Sequence, residues 1–315
     1  MNRVGIDAMG GDFAPKNVVL GAIQAHARKE PKTRLILFGD RSQIEAECQE
    51  VGFDAAKFEI VHTSQVIGMG DHPAKAFQQK SDSSISVGFR ALANCQIDGF
   101  ASAGNTGAML IGVMSTVKAI PGIIRPAISS VYPLMNGKTA LLLDVGLNVD
   151  CKPDVLYQYG FLGSIYVKYM MEQENPRVAL LNIGEEEEKG NLQTKEAFKI
   201  MQDTTDFNFV GNIEANHLFS GKIADVIVAD GFVGNVVLKQ AEAMYVLAKK
   251  QGIESEYFNR FNYELYGGTP VLGVNAPVII GHGASSPKAI ENMILQTEHA
   301  IKVRLVDKIT EALDK

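Results

Sequence analysis

Five glycine-bearing turns, each closing a short apolar run, hold most of the side chains here that could do chemistry. They are Asp7-Ala8-Met9-Gly10-Gly11-Asp12, Gly104-Asn105-Thr106-Gly107, Asp144-Val145-Gly146-Leu147-Asn148, the stretch from Asn182 to Asn191, and Asp230-Gly231-Phe232-Val233-Gly234-Asn235. Glycine lets backbone N–H groups come close to a ligand, and a following helix adds its positive N-terminal end. Asn105, Thr106 and Asn235 supply side-chain donors at the same places. Lys189 follows four consecutive glutamates, Glu185 to Glu188, which would hold it charged and oriented; the plain alternative is a solvated helix start with a surface lysine. Such a set suits an anion or an oxyanion. Asp7, Asp12, Asp144 and Asp230 would repel one directly, so they read as turn and cap acceptors that orient the donors. We expect Lys189, Asn105 and Asn235 to act on the reacting groups. Asp7, Gly10, Gly11, Asp12, Gly104, Thr106, Gly107, Asp144, Asn148, Asp230, Gly231, Gly234 and His282, the histidine of the turn Gly281-His282-Gly283, are expected to bind substrate.

Other chemistries fail on spacing. Asn136-Gly137-Lys138-Thr139 ends like a P-loop, but Tyr132 stands where the upstream glycine is required, so it reads as a hairpin turn. No G-x-G-x-x-G follows the first strand, and Gly283-Ala284-Ser285-Ser286 does not make a nucleophile elbow. No H-E-x-x-H pair suggests a metal, and no cofactor is expected.

The elements that must position these turns alternate. Apolar strand-like runs at Val4–Ile6, Arg34–Phe38, Phe58–Val61, Gly99–Ser102, Ile128–Val131, Thr139–Leu143, Arg177–Asn182, Phe207–Val210, Asp225–Ala229 and Val278–Ile280 are separated by stretches of helical period. The helical stretches include Pro15–Lys29, Ser81–Ala93, Asn105–Lys118, Pro153–Met171, Leu192–Asp203, Gly234–Gln251 and Pro287–Leu313. This pattern predicts an α/β fold, a mostly parallel sheet in an αβα sandwich, as one domain over 1–315 or as two lobes sharing a sheet. Ile290, Ile294, Ile301, Leu305 and Ile309 fall near one face of the last helix, which suits either packing on the sheet or a dimer seam. With 315 residues, 46% of them apolar, the chain can bury a large core, and its net charge of −6 argues against nucleic acid as a partner. Its three cysteines, Cys48, Cys95 and Cys151, form no C-x-x-C pair and suit a reducing, cytoplasmic setting.

The motifs Asp7-Ala-Met-Gly-Gly-Asp12, Ser102-Ala-Gly-Asn-Thr-Gly-Ala108, Ile120-Pro-Gly-Ile-Ile-Arg-Pro126, Leu181-Asn-Ile-Gly184, Lys189-Gly-Asn191, Gly211-Asn-Ile-Glu214, Asp230-Gly-Phe-Val-Gly-Asn235, Gly267-Gly268 and Gly281-His-Gly283 occur in order over nearly the whole length. In these the chain resembles the PlsX family, the phosphate acyltransferases of bacterial phospholipid synthesis. The resemblance implies transfer of a fatty acyl group from acyl carrier protein to inorganic phosphate, giving acyl phosphate for the first step of phosphatidic acid synthesis. It implies a fold related to phosphotransacetylases and isocitrate/isopropylmalate dehydrogenases, a homodimer, and hand-off to a membrane glycerol-3-phosphate acyltransferase, with peripheral attachment to the inner face of the cell membrane. Leu147 stands where the family usually has Ala, Ala243 where Gly is usual, and the stretch from Val246 to Gly267 is shorter than in many relatives that carry an amphipathic hairpin. There Tyr257, Phe258 and Phe261 are the bulky apolar residues left for a short membrane patch. Met109, Leu110, Ile111, Val113, Met114, Ile120, Ile123 and Ile124 suit an acyl slot or plain core, and Lys118, Arg125, Lys249, Lys250 and Arg260 suit an acidic carrier. Phosphate is already an anionic nucleophile, so direct attack on the thioester is expected. The alternatives are a phosphotransacetylase acting on acyl-coenzyme A and a non-catalytic scaffold of lipid synthesis.

Overall fold

Strand runs rich in Val, Ile and Leu, bounded by glycine and capped helices, produce the alternation seen in the computed structural model, which describes residues 1–314; Lys315, the end of the expected C-terminal stretch, lies outside the described residues. From the N-terminus come β1 (Asn2–Asp7), α1 (Lys16–Arg28), β2 (Thr33–Gly39), α2 (Arg41–Glu50), β3 (Glu59–His62), α3 (Pro73–Gln79), α4 (Ser84–Ala93), β4 (Gly99–Ser102) and α5 (Thr106–Gly112). There follow β5 (Ala127–Pro133), β6 (Thr139–Leu143), α6 (Pro153–Met170), β7 (Arg177–Asn182), α7 (Leu192–Gln202), β8 (Asn208–Glu214), β9 (Val226–Val228), α8 (Gly231–Lys250) and α9 (Glu256–Asn259). The last are β10 (Thr269–Leu272), β11 (Val278–Ile280), α10 (Pro287–Lys302) and α11 (Leu305–Leu313).

The chain divides into two compact units. The first comprises Met1–Ala119, Tyr263–Pro270 and Val274–Val306. Its strands lie in the order β3-β2-β1-β4-β11, all parallel, with Val4 opposite Leu35 on one side and Gly99 on the other. Val4 and Ile6 turn one way, into a core with Val18, Val19 and Ala22 of α1 and Ile290, Met293 and Ile294 of α10. Gly5 between them faces Phe38 and Phe100, and Phe100 in turn packs under Gly88 of α4. Helices therefore cover both faces, and each fully buried Val or Ile contributes roughly 1.5–3 kcal/mol.

The second unit comprises Ile120–Asn262, Val271–Gly273 and the residues from Asp307. Its strand order is β10-β5-β6-β9-β7-β8, with Val271 and Leu272 its part of β10; β5 is antiparallel to both neighbours and the rest pair in parallel. Leu141, Leu142 and Leu143 are fully buried, as a strand covered on both faces requires, with α6 packed against β6, β7 and β9 and α8 against β5 and β6. The turn at Asn136-Gly137 is the predicted hairpin, with the Leu134 N–H donating to the Lys138 carbonyl and Gly137 at φ 85°.

Several expectations change. The final helix is broken: α10 ends at Lys302, and Arg304 at φ 57° turns the chain before α11. Ile290, Ile294, Leu305 and Ile309 are buried within the monomer, so these side chains are not free to form a dimer seam. The helix from Asn105 toward Lys118 is regular only to Gly112, then widens into a π turn over Val113–Val117. β10 escaped prediction because Gly267-Gly268 and Pro270 read as a turn, and α2 because only Ile44 and Cys48, one turn apart, are buried on it. Among the described residues no helix is long and apolar enough to cross a membrane.

Candidate active site

The carboxyl ends of β1, β4 and β11 lie side by side in the first unit, where parallel α/β sheets gather ligands, and two of the five predicted turns meet the Gly281-His282-Gly283 turn there. The Ser102 hydroxyl donates to Asp7 Oδ2 at 2.6 Å and accepts the Gly104 N–H at 2.9 Å; Asp7 Oδ1 accepts the Met9 N–H. The Asp12 N–H donates to the Gly283 carbonyl at 2.8 Å, and the Gly281 N–H to the Ser102 carbonyl at 2.8 Å. A Cβ on Gly10 would sit 2.2 Å from Asp7 Oδ2 and 2.7 Å from the Gly104 nitrogen, so only glycine lets the first two turns touch. Asp7 is buried, which pushes its carboxyl above the usual range against the opposing Ser102, Ser84 and Met9 hydrogen bonds. Asp12, Thr106 and His282 are exposed on these turns; the His282 ring lies 4.8 Å from that of Tyr263, and its Nδ1 accepts the Ala284 N–H.

Asn105 departs from its expected role. Its Oδ1 accepts the Ala108 N–H and caps α5, while its Nδ2 donates to the carbonyls of Gly68 at 3.1 Å, Met69 at 3.3 Å and Asp71 at 3.1 Å. An amide has two N–H groups, and both are engaged in tying down the 68–71 loop. Asn105 is thus a loop tether, not a side-chain donor free to meet an oxyanion. Gly107 also serves packing, since a Cβ there would lie 2.4 Å from the Pro73 ring of α3.

In the second unit the turn after β6 wraps the Asp144 carboxylate. Oδ1 accepts the N–H groups of Ile128 (3.1 Å), Gly146 (3.3 Å) and Leu147 (3.2 Å), and Oδ2 that of Asn148 (2.6 Å). Burial pushes this carboxyl up while those donors favour its charged form. Asn148 Nδ2 is occupied by the Pro126 carbonyl, Asp144 Oδ2 and the Tyr159 hydroxyl, so this amide holds the turn together and has no N–H to spare for substrate. Helix α8 starts on top of the turn: the Gly231 N–H donates to the Asn148 carbonyl at 2.7 Å, and Asp230 Oδ1 accepts the Val233 N–H as cap. Asn235 Nδ2 donates to the Val145 carbonyl at 3.0 Å, which uses one of its two N–H groups.

Lys189 lies at the carboxyl end of β7. Asn182 Nδ2 donates to the Lys189 carbonyl and to Asn212 Oδ1, both at 3.1 Å, and Asn212 Nδ2 donates to the Glu186 carbonyl at 2.9 Å. These two amides fix the loop. The Lys189 stem crosses Gly184, where a Cβ would come 2.7 Å from Lys189 Cγ. Among the described residues no carboxylate pairs with its exposed ammonium, contrary to the expectation that the glutamates would hold it; Glu185 instead approaches His217 at 3.9 Å. Ser102, Asn182 and Asn212 lie in the quoted turns and motifs but are not among the expected site residues. The usable signal was a polar residue inside or closing an otherwise apolar strand, with Ser102 and Asn212 both at or below 5% exposure.

The expected peripheral features sort as follows. Met109, Val113, Ile120 and Ile123 are core, with only Met114 and Ile124 about half exposed among the residues proposed for an acyl slot. Arg260 is committed to the carbonyls of Leu134 and Lys138, and Lys249 approaches Glu254 at 3.5 Å, so neither stands free in a basic patch. Tyr257 and Phe261 pack on Tyr132, on Phe219 or on each other instead of forming an exposed apolar patch. Among the described residues no group of three or more His, Cys, Asp or Glu is arranged to hold a metal ion.

A family model described as a fatty acid synthesis protein matches residues 2–308. A phosphate acyltransferase of Dictyoglomus turgidum is 39% identical over 333 residues, covering 99% of this chain and 98% of that protein. One from Oceanobacillus iheyensis is 41% identical over 331 residues, covering 99% and 97%. Among solved structures, a phosphotransacetylase from Streptococcus pyogenes shares the fold with a TM-score of 0.69 at 15% identity, over 96% of this chain and 94% of its own.

Proposed function

We propose a specific reaction for this chain from one premise: it belongs to the PlsX family of phosphate acyltransferases. Acyl transfer to phosphate is the activity that membership carries. The donor in our reading is a fatty acyl thioester of acyl carrier protein. An oxygen of inorganic phosphate attacks the thioester carbonyl carbon; a C–O bond forms, the C–S bond breaks, and the departing thiolate takes up a proton. The acyl phosphate is a mixed anhydride, activated for transfer to a glycerol phosphate hydroxyl on the way to phosphatidic acid. Carrier protein and a membrane acyltransferase are then its partners, met at the inner face of the membrane by a homodimer.

The observation that carries this reading is Lys189: an exposed cation beside four glutamates, paired with none of them, on a loop held by Asn182 and Asn212. A cation so placed is available to phosphate or to the oxyanion that develops on the carbonyl. Asn235 retains a second N–H for the same purpose. Direct attack is further supported by Cys151. It lies against Asn148 and Tyr159, and burial pushes its thiol up to about 11, which disfavours the thiolate that an acyl-enzyme route through it would need.

The test is turnover of the full chain with palmitoyl-acyl carrier protein and phosphate, scoring free carrier thiol and acyl phosphate, beside a reaction with palmitoyl-coenzyme A. Phosphate-dependent formation of both products from the carrier thioester is expected. Turnover confined to the coenzyme A thioester would overturn the carrier assignment, and none with either donor would leave a scaffold.

A further inference from the structure

In the second unit a cavity of about 400 Å³ opens at the carboxyl ends of the adjacent parallel strands β7 and β9. Its lining includes the buried Leu156, Leu180 and Ala229, each at most 4% exposed, together with Val233 and Val237, one turn apart on α8. Asn182 and Gly190 border it, and Asn182 is the residue that holds the Lys189 carbonyl, so the cavity and the Lys189 loop share an edge. Among the described residues no Lys, Arg or His lines it, and the one charged group there, Asp230, already caps α8. Phosphate or a nucleotide would find no cation there. An alkyl chain would find apolar walls, and Ile183 (78% exposed) leads into the cavity from the same loop.

We propose that this cavity takes the alkyl chain of the acyl substrate, with the thioester end left at the Lys189 loop; the inference rests on the reaction proposed above. At about 30 Å³ for a water-sized unit of liquid, the space holds on the order of ten methylenes. It therefore sets a preferred chain length. Each methylene kept out of an apolar site costs roughly fourfold in affinity, so a side chain that displaces two of them changes selectivity more than tenfold.

The experiment compares kcat/KM for hexadecanoyl- and octanoyl-acyl carrier protein in the wild type, in Val237→Phe, which narrows the cavity, and in Val237→Ala, which widens it. The ratio of long to short chain falls at least tenfold in Val237→Phe and does not fall in Val237→Ala. An unchanged ratio in both, or an equal loss for both donors, overturns the proposal. If Val237→Phe fails to fold, Thr194→Leu, a lining residue on α7, takes its place under the same criterion. Binding is read separately as the rise in Tm with hexadecyl phosphonate against butyl phosphonate. A wild type that makes no acyl phosphate but is stabilised by the long phosphonate in a Val237-dependent way refutes the reaction and keeps the pocket. Turnover without that dependence refutes the pocket alone. If Val237→Phe changes oligomeric state and not chain preference, a second copy of the chain occupies the cavity and the proposal falls.

Discussion

Replacing Asn105 by aspartate separates the tether from the cap, because the two side chains have the same shape. The cap survives: a carboxylate oxygen accepts the Ala108 N–H as well as an amide oxygen does. The tether does not. Both N–H groups that now serve the carbonyls of Gly68, Met69 and Asp71 disappear, and an anionic oxygen faces those carbonyl oxygens at a residue only 5% exposed. Two hydrogen bonds at about 1 kcal/mol each, with the added repulsion, amount to about 2–4 kcal/mol. For a domain of this size that corresponds to a fall in Tm of roughly 5–15 °C. The assay is thermal unfolding combined with amide hydrogen exchange across Val66 to Asp71, where the loop should lose protection before the rest of the first unit. A donor to an oxyanion behaves otherwise, costing about 10²–10³ in kcat when lost, with the fold untouched. A Tm within a degree of the wild type, unaltered exchange and a large drop in kcat would refute the tether.

Three further substitutions have defined outcomes. Lys189→Ala should lower kcat by about 10²–10³, and Gly184→Ala should lower it by at least tenfold by pushing the lysine stem aside, with the fold intact because the displaced atoms belong to a flexible chain. In the double variant Gly184→Ala should add almost nothing, whereas full additivity in steady-state kinetics would show that Gly184 does not act through Lys189. Asp7 titrates higher in the folded state than the unfolded value of about 3.9, because it is buried. The folded protein then binds more protons there, so the contribution of Asp7 to stability falls as pH rises from the unfolded pKa through the folded one. Asp7→Asn removes that slope. Urea unfolding of both proteins between pH 4 and 7 should show the wild type losing ground to the variant as pH rises, and a gap that stays constant or widens in favour of the wild type would contradict the burial argument.

Much of this protein is legible in one dimension because its physics is local. Period-two and period-3.6 apolar runs separated by glycine give an α/β alternation, and Ser102, Asp144 and Asp230 sit where strands end because polar groups there close turns and cap helices. Five strand-end turns were visible for the same reason. What a donor does was not visible, because that depends on which acceptors the fold brings to it. Asn105 and Asn235 look alike in sequence, each an amide beside a glycine, yet one has both N–H groups engaged by a loop some 35 residues away and the other has one spare. Lys189 looked held by its neighbours in sequence, but Asn182 and Asn212, from two different strands, shape its loop, and among the described residues no carboxylate pairs with its ammonium. Nor could spacing tell Ile290 and Ile294 apart from a dimer seam, since the same helical stripe serves either partner, and only the packing of α10 on α1 and β1 decided it. Sequence determines which groups are present and how each backbone segment prefers to run; tertiary structure decides which polar groups satisfy one another and which are left for a ligand, since hydrogen bonds join residues far apart in the chain.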